Sequence, residues 1–196
     1  MGILSYLPRP IDALPVANSA AVGLSGRLLS GLGTRWAHSV AVADRIGEIS
    51  PRVEPVWRAP LADAAWLHDI GRSPTVAAGT GLHSLDGARW LHQHDWPDAT
   101  CRLVAWHSAP LAEARLRALD DALVSAFDPP PALPLAALTW ADMTSSPNGN
   151  RCSVDQRLAD ILARYPPESV VHRATVASAE ELRAAVKLVE DLIGGR

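Results

Sequence analysis

The chain has 196 residues, 48% hydrophobic and only 20% charged, which excludes a disordered polypeptide and gives enough length for one domain with a real core. Its formal net charge of −3 offers no basic field to a nucleic-acid backbone, so extended DNA or RNA is not the expected partner. The two cysteines, Cys101 and Cys152, show no CxxC spacing and no disulfide framework, so reduced thiols in a cytoplasmic protein are expected.

Residues 1–18 carry Pro8, Pro10 and Pro15 and have no basic region ahead of an apolar core, so they do not read as a signal peptide. Tyr6 stands where a myristoylation motif opened by Met1-Gly2 needs Ser or Thr. No window approaches the roughly 18 uninterrupted apolar residues of a membrane span, and no membrane partner is expected. Thr34 is placed to cap a helix running to Ile49, with His38, Val42, Ile46 and Ile49 near one face. Pro60 can open a second helix, because its missing N–H is harmless in a first turn, and Gly71 would close it as a left-handed terminal residue. His68 and Asp69 then fall in its last turn.

Residues 84–94 read as a third helix, opened by His83 and stopped by Trp96-Pro97, after which Asp98 caps a fourth where Leu103, Val104 and His107 share a face. Residues 110–127 read as one further helix, with Glu113, Arg115, Arg117, Asp120 and Asp121 on its solvated side and Asp128-Pro129-Pro130-Pro131 ending it. Over 134–143, Leu135, Leu138 and Asp142 recur at i, i+3 and i+7, which aims the carboxylate along the buried stripe. Two capping boxes follow, Ser153 with Gln156 and Ser178 with Glu181. They open a helix carrying Leu158, Ile161, Leu162 and Tyr165 and a terminal one carrying Leu182, Ala185, Val189 and Leu192. No alternating strand pattern competes, so the expected class is all-α.

The residues that carry chemistry are His38, the pair His68-Asp69, His83, His107 and Asp142, at successive spacings of 30, 15, 24 and 35 residues. Each lies on a helix or a helix junction. Four imidazoles and two carboxylates suffice for one or two transition-metal ions, and helices of a bundle can aim them at one point. With the continuation His68-Asp69-Ile70-Gly71, this order resembles the HD-domain metal-dependent phosphohydrolase superfamily, over about residues 34–145. The resemblance implies a single HD-type helical bundle over 1–196, with C-terminal helices over 153–193 packed on the ligand-bearing part. It also implies one metal held by His38, His68, Asp69 and Asp142, and a second held by His83 and His107 with Asp69 bridging, since one carboxylate can offer an oxygen to each ion. Nitrogen-rich ligation favours Mn, Fe, Co, Ni or Zn over Mg. Ions roughly 3.5–4 Å apart activate a shared water and neutralise phosphoryl oxygens, so the implied activity is hydrolysis of a phosphoester or phosphoanhydride of a small metabolite such as a nucleotide. Asp69, His68 and Arg72 are the residues the resemblance places in catalysis.

Arg72 stands where the cyclic-dinucleotide phosphodiesterase branch usually has Lys, and either forks a phosphate oxygen or is a helix-end cation in solvent. Arg89 and Arg151 are the next candidates for phosphate. Ser39 and Ser108 either touch substrate or cap, Asp86 is placed to fix the tautomer of a ligand imidazole, and the loop over 144–150 is a lid or a turn. His92, His94 and His172 read as surface residues, and Trp66, Trp90, Trp106 and Trp140 as core packing near the ligands. His107 is followed by Ser108-Ala109-Pro110 and no Gly-Tyr-Pro, which disfavours a cyclic-dinucleotide substrate. Two alternatives share the ligand set: a mixed-valent di-iron oxygenase of the same fold, and a non-catalytic nucleotide-binding regulatory domain. Oligomeric state leaves no signature.

Overall fold

The computed structural model describes residues 18–77 and 79–195, so the readings of the leader and of Met1-Gly2 lie outside the described residues. Among those described there are ten α-helices and no strand: α1 Ser19–Leu29, α2 Arg35–Ile49, α3 Pro55–Leu67, α4 His83–Gln93, α5 Asp98–Trp106, α6 Leu111–Leu116, α7 Asp120–Ala126, α8 Ala132–Met143, α9 Val154–Arg164 and α10 Val170–Gly194. Short 3-10 turns at Ser50–Arg52 and Ile70–Arg72 follow α2 and α3. The expected all-α class holds. None of the described helices is long and apolar enough to cross a membrane.

α3 is the central element, touching α1, α2, α5 and α8, while α10 lies across α8, α6 and α9. The core between them is filled by fully buried Ile46, Leu61, Trp66, Leu67, Leu103, Leu138 and Trp140. At about 1.5–3 kcal/mol per large side chain, this burial is what offsets the entropy of ordering the chain.

Several helix limits differ from those expected, each for a physical reason. α3 opens at Pro55, not Pro60, and Pro60 sits inside it. The carbonyl that Pro60 leaves without a partner belongs to Val56, which is exposed, so water can take the missing bond. Gly71 is not left-handed: it lies in the 3-10 turn below α4, where an added Cβ would stand 1.9 Å from the His83 carbonyl oxygen. Asp98 is the first residue of α5 rather than its cap, and an acid in that first turn suits the positive end of the helix.

Residues 110–127 form two helices. Ala118 takes a left-handed conformation (φ 55°), Leu119 N–H bonds Ala114 C=O and Ala118 N–H bonds Arg115 C=O, which is a Schellman ending with alanine in the seat glycine usually fills. Ser153 and Gln156 do make the reciprocal capping box. Ser178 does not cap: it is buried inside α10 and donates to Ala174 C=O, while Ser169 caps that helix by accepting from His172 N–H. α1 was not anticipated; Asn18 caps it, and the Asn18 N–H ties it to Asp63 of α3.

Candidate metal centre

Five helices deliver the ligand residues. His38 comes from the first turn of α2, His68 and Asp69 from the end of α3, His83 from the first residue of α4, His107 from the end of α5 and Asp142 from the last turn of α8. Backbone carbonyls orient three of the rings: His38 Nδ1 donates to Ser146 C=O at 3.2 Å, His68 Nδ1 to Ala65 C=O at 3.0 Å and His107 Nδ1 to Val104 C=O at 2.6 Å. A carbonyl only accepts, so these bonds put the proton on Nδ1 and leave Nε2 facing the other ligands. The rings meet edge to face, with centroids 5.4 Å apart for His38 and His68, and 5.2 Å for His68 and His107 and for His83 and His107.

The ligand atoms fall into two groups, His38 with His68 and Asp142, and Asp69 with His83 and His107, each group within 4.8 Å throughout. Asp69 lies 3.4 Å from His83 Nε2 through one oxygen and 4.0 Å from His68 Nε2 through the other, so its carboxylate stands between the groups. His38 Nε2 is 2.9 Å from Asp142 Oδ1.

Burial and charge make the set ready for a cation. Burial pushes the His68 imidazolium pKa down to about 4, so the ring is neutral at physiological pH, and its Nε2 is buried with no hydrogen-bond partner. Such an orphaned lone pair is costly unless a cation meets it. His83 is held well below the usual imidazole range, first by burial and then by the neighbouring Arg72. For Asp69 and Asp142 burial acts upward, but Arg72, His68 and Arg35 around the first and His38 around the second hold both well below the usual carboxylate range. Two ionised carboxylates among imidazoles form an N/O donor set without thiolate, which fits the borderline divalent transition metals.

Two guanidiniums hold Asp69. Arg35 NH1 donates to its Oδ2 at 2.8 Å and Arg72 Nε to its Oδ1 at 2.6 Å, while Arg72 NH2 reaches His83 Nε2 at 3.1 Å. Ser108 hydroxyl donates to Asp142 Oδ2 at 2.5 Å. Asp86, expected to orient an imidazole, accepts instead from the Thr80 hydroxyl at 2.8 Å, and backbone carbonyls orient the rings in its place. Ser39 is buried with its hydroxyl unpaired and does not line the cavity above the ligands. The loop over 144–150 is a tight turn, with Ser146 N–H bonded to Asn150 C=O and Gly149 close over Ala37, so it positions His38 and is not a lid. Trp66, Trp106 and Trp140 are buried in the core, Trp90 is partly buried, and His92 and His94 are exposed. His172 is half-buried, donating to Tyr165 C=O.

Above the ligands lies a cavity of about 160 Å³ into which five arginines project: Arg35, Arg72, Arg117, Arg157 and Arg164. Three carboxylates line it, those of Asp69, Asp142 and Glu113, so its walls carry a cationic surplus on an otherwise anionic chain. α9 and α10 form its roof through Ile161, Val171, Ala174 and Leu182. Arg89 and Arg151 are not among its lining residues. The sequence reading passed over Arg35, Arg157 and Arg164. Arg35 was accessible in principle, three residues before His38 and so on the same helical face.

Fold and site together define an all-helical bundle with a buried candidate metal centre at the floor of a cationic cavity. The HD domain family matches residues 35–145, more than half of the chain, and the protein belongs to that family. No curated protein and no solved structure matches it.

Proposed function

We propose that the protein is a metal-dependent phosphohydrolase that cleaves a phosphoester or phosphoanhydride of a small metabolite. The observation that carries this reading is the joining of two metal-ligand groups through Asp69 at the floor of an arginine-lined cavity. His38, His68 and Asp142 would hold one ion and His83 and His107 a second, with Asp69 shared. Bound divalent ions supply Lewis acidity toward a phosphoryl oxygen and lower the pKa of water into the neutral range. The chain's own residues do the rest. Arg35 and Arg72 present planar forks for the non-bridging oxygens, and the apolar roof excludes bulk water, which strengthens every charge interaction beneath it. The cavity is smaller than the roughly 300–1,000 Å³ of ordinary ligand sites, so the group held next to the ligands is compact; a nucleotide fits this reading with its phosphate innermost.

Metal analysis of the purified protein is expected to give close to two ions per chain, from among Mn, Fe, Co, Ni and Zn, and the double variant His83→Ala, His107→Ala close to one. An unchanged stoichiometry near one would reduce the centre to a mononuclear site. An anaerobic screen of phosphate esters is then expected to show phosphate release. Turnover that requires dioxygen would instead identify the oxygenase chemistry that the same ligands support.

Arg72→Ala is expected to raise KM by about tenfold or more, since it removes charge-assisted bonds to substrate phosphate. Metal content should not fall, because Arg72 competes with a cation for Asp69 and its loss relieves that competition. Loss of metal with KM unchanged would make Arg72 a support for the ligands and no part of the phosphate pocket.

A further inference from the structure

We propose that α9, which lies beyond the segment matched by the HD family, adds an anion subsite to the cavity, and that the substrate is a small phosphate ester whose second anionic group, carboxylate or phosphate, is held by Arg157 and Arg164. The inference rests on the phosphohydrolase reading and names the class of substrate that reading leaves open.

Arg157 carries the argument. Its side chain is only 7% exposed, it lines the cavity, and its Nε is buried with no hydrogen-bond partner. A guanidinium offers five donors, and leaving one unmet in the interior is costly unless a ligand meets it. The local carboxylates engage NH1 and NH2 and leave Nε unmet. One oxygen of Asp160 accepts from both Arg157 NH1 at 3.2 Å and Arg164 NH2 at 2.8 Å. Asp142 Oδ1 makes a longer ion pair with Arg157 NH2 at 3.7 Å, beyond hydrogen-bond distance. Arg117 is matched one to one with Glu113, whereas Arg35 and Arg72 share Asp69 as Arg157 and Arg164 share Asp160. Two guanidiniums on one carboxylate thus leave positive charge on the α9 side as well as beside Asp69.

Position fixes what that charge can hold. Asp142 is a ligand residue and stands 3.7 Å from Arg157, so the subsite adjoins the metal centre and both open into one small cavity. A phosphoryl group at the ligands and a second anion at Arg157 thus belong to one compact molecule. The apolar side chains of α9 and α10 above them lower the local dielectric, which makes recognition of that second charge strong.

The test is calorimetric and does not depend on turnover. The 196-residue chain, as purified with its metal, is titrated with propylphosphonate, 4-phosphonobutyrate and propane-1,3-bisphosphonate, which share a three-carbon spacer and differ in the group at its far end. One of the two probes with a second anionic group is expected to bind about tenfold or more tighter than propylphosphonate, and which of them does so separates a carboxylate from a phosphate as the second group. Arg157→Gln and Arg164→Gln are each expected to remove most of that preference while propylphosphonate still binds. Arg164, more exposed at the end of α9, keeps the test open should Arg157→Gln not fold. Equal affinity for all three probes, or a preference that survives both substitutions, overturns the subsite and leaves the phosphohydrolase reading standing. Failure of even propylphosphonate to bind overturns both.

Discussion

Asp69→Ala is expected to lower turnover by about 10³-fold or more, about 4 kcal/mol of barrier, while the protein stays folded. Asp69 is the residue whose two oxygens reach toward both ligand groups, and among the described residues no other acid groups with His83 and His107 to replace it. The fold survives because the side chains left behind have somewhere to go. Arg35 and Arg72 are partly exposed and can turn to solvent or to an anion in the cavity. The cost in stability is expected at about 1–3 kcal/mol, the range for a lost charge-assisted bond, and thermal unfolding measures it. Asp69→Asn sharpens the test, because the amide keeps the volume and loses the second anionic oxygen. Turnover near the parent level in either variant would sink the assignment of Asp69 as the shared ligand.

The class of fold and its family were legible because the signals that carry them are local. Proline and glycine punctuate the chain, and the His68-Asp69 pair with its partners in order survives any error in helix limits. The helix limits themselves were less legible. Ala118 fills a left-handed seat that sequence reading reserves for glycine, so nothing marked the break between α6 and α7. Ser178 with Glu181 satisfies the pattern of a capping box, yet the hydroxyl has a closer acceptor in Ala174 C=O and the helix runs through it. The arginines of the cavity show the deeper limit. Arg157 and Arg164 are ordinary surface-type residues on an amphipathic stretch until α9 folds over α8, and only that packing brings them above Asp142.

Gly71→Ala is expected to destabilise the protein by about 3 kcal/mol and to cut turnover by about 10²-fold, although the residue bears no chemistry. An added Cβ would stand 1.9 Å from the His83 carbonyl oxygen and 2.8 Å from the Gly87 nitrogen. Both are backbone atoms, so no rotamer relieves the contact and α4 must move away from the 3-10 turn as a body. His83 is the first residue of α4, and Asp69 with Arg72 brackets that turn, so the movement opens the distance between His83 and Asp69 directly. Its close packing against α4, not a left-handed backbone, is therefore what makes glycine necessary at position 71. Gly31→Ala is the control: an added Cβ there meets nothing within 4 Å, so stability is expected to stay within about 0.5 kcal/mol of the parent. Chemical denaturation of the two variants, with metal analysis of Gly71→Ala, reads the difference. The second ion is expected to be the one lost, because His83 belongs to its group. A Gly71→Ala protein as stable and as active as the parent would show that the turn and α4 can separate without disturbing His83.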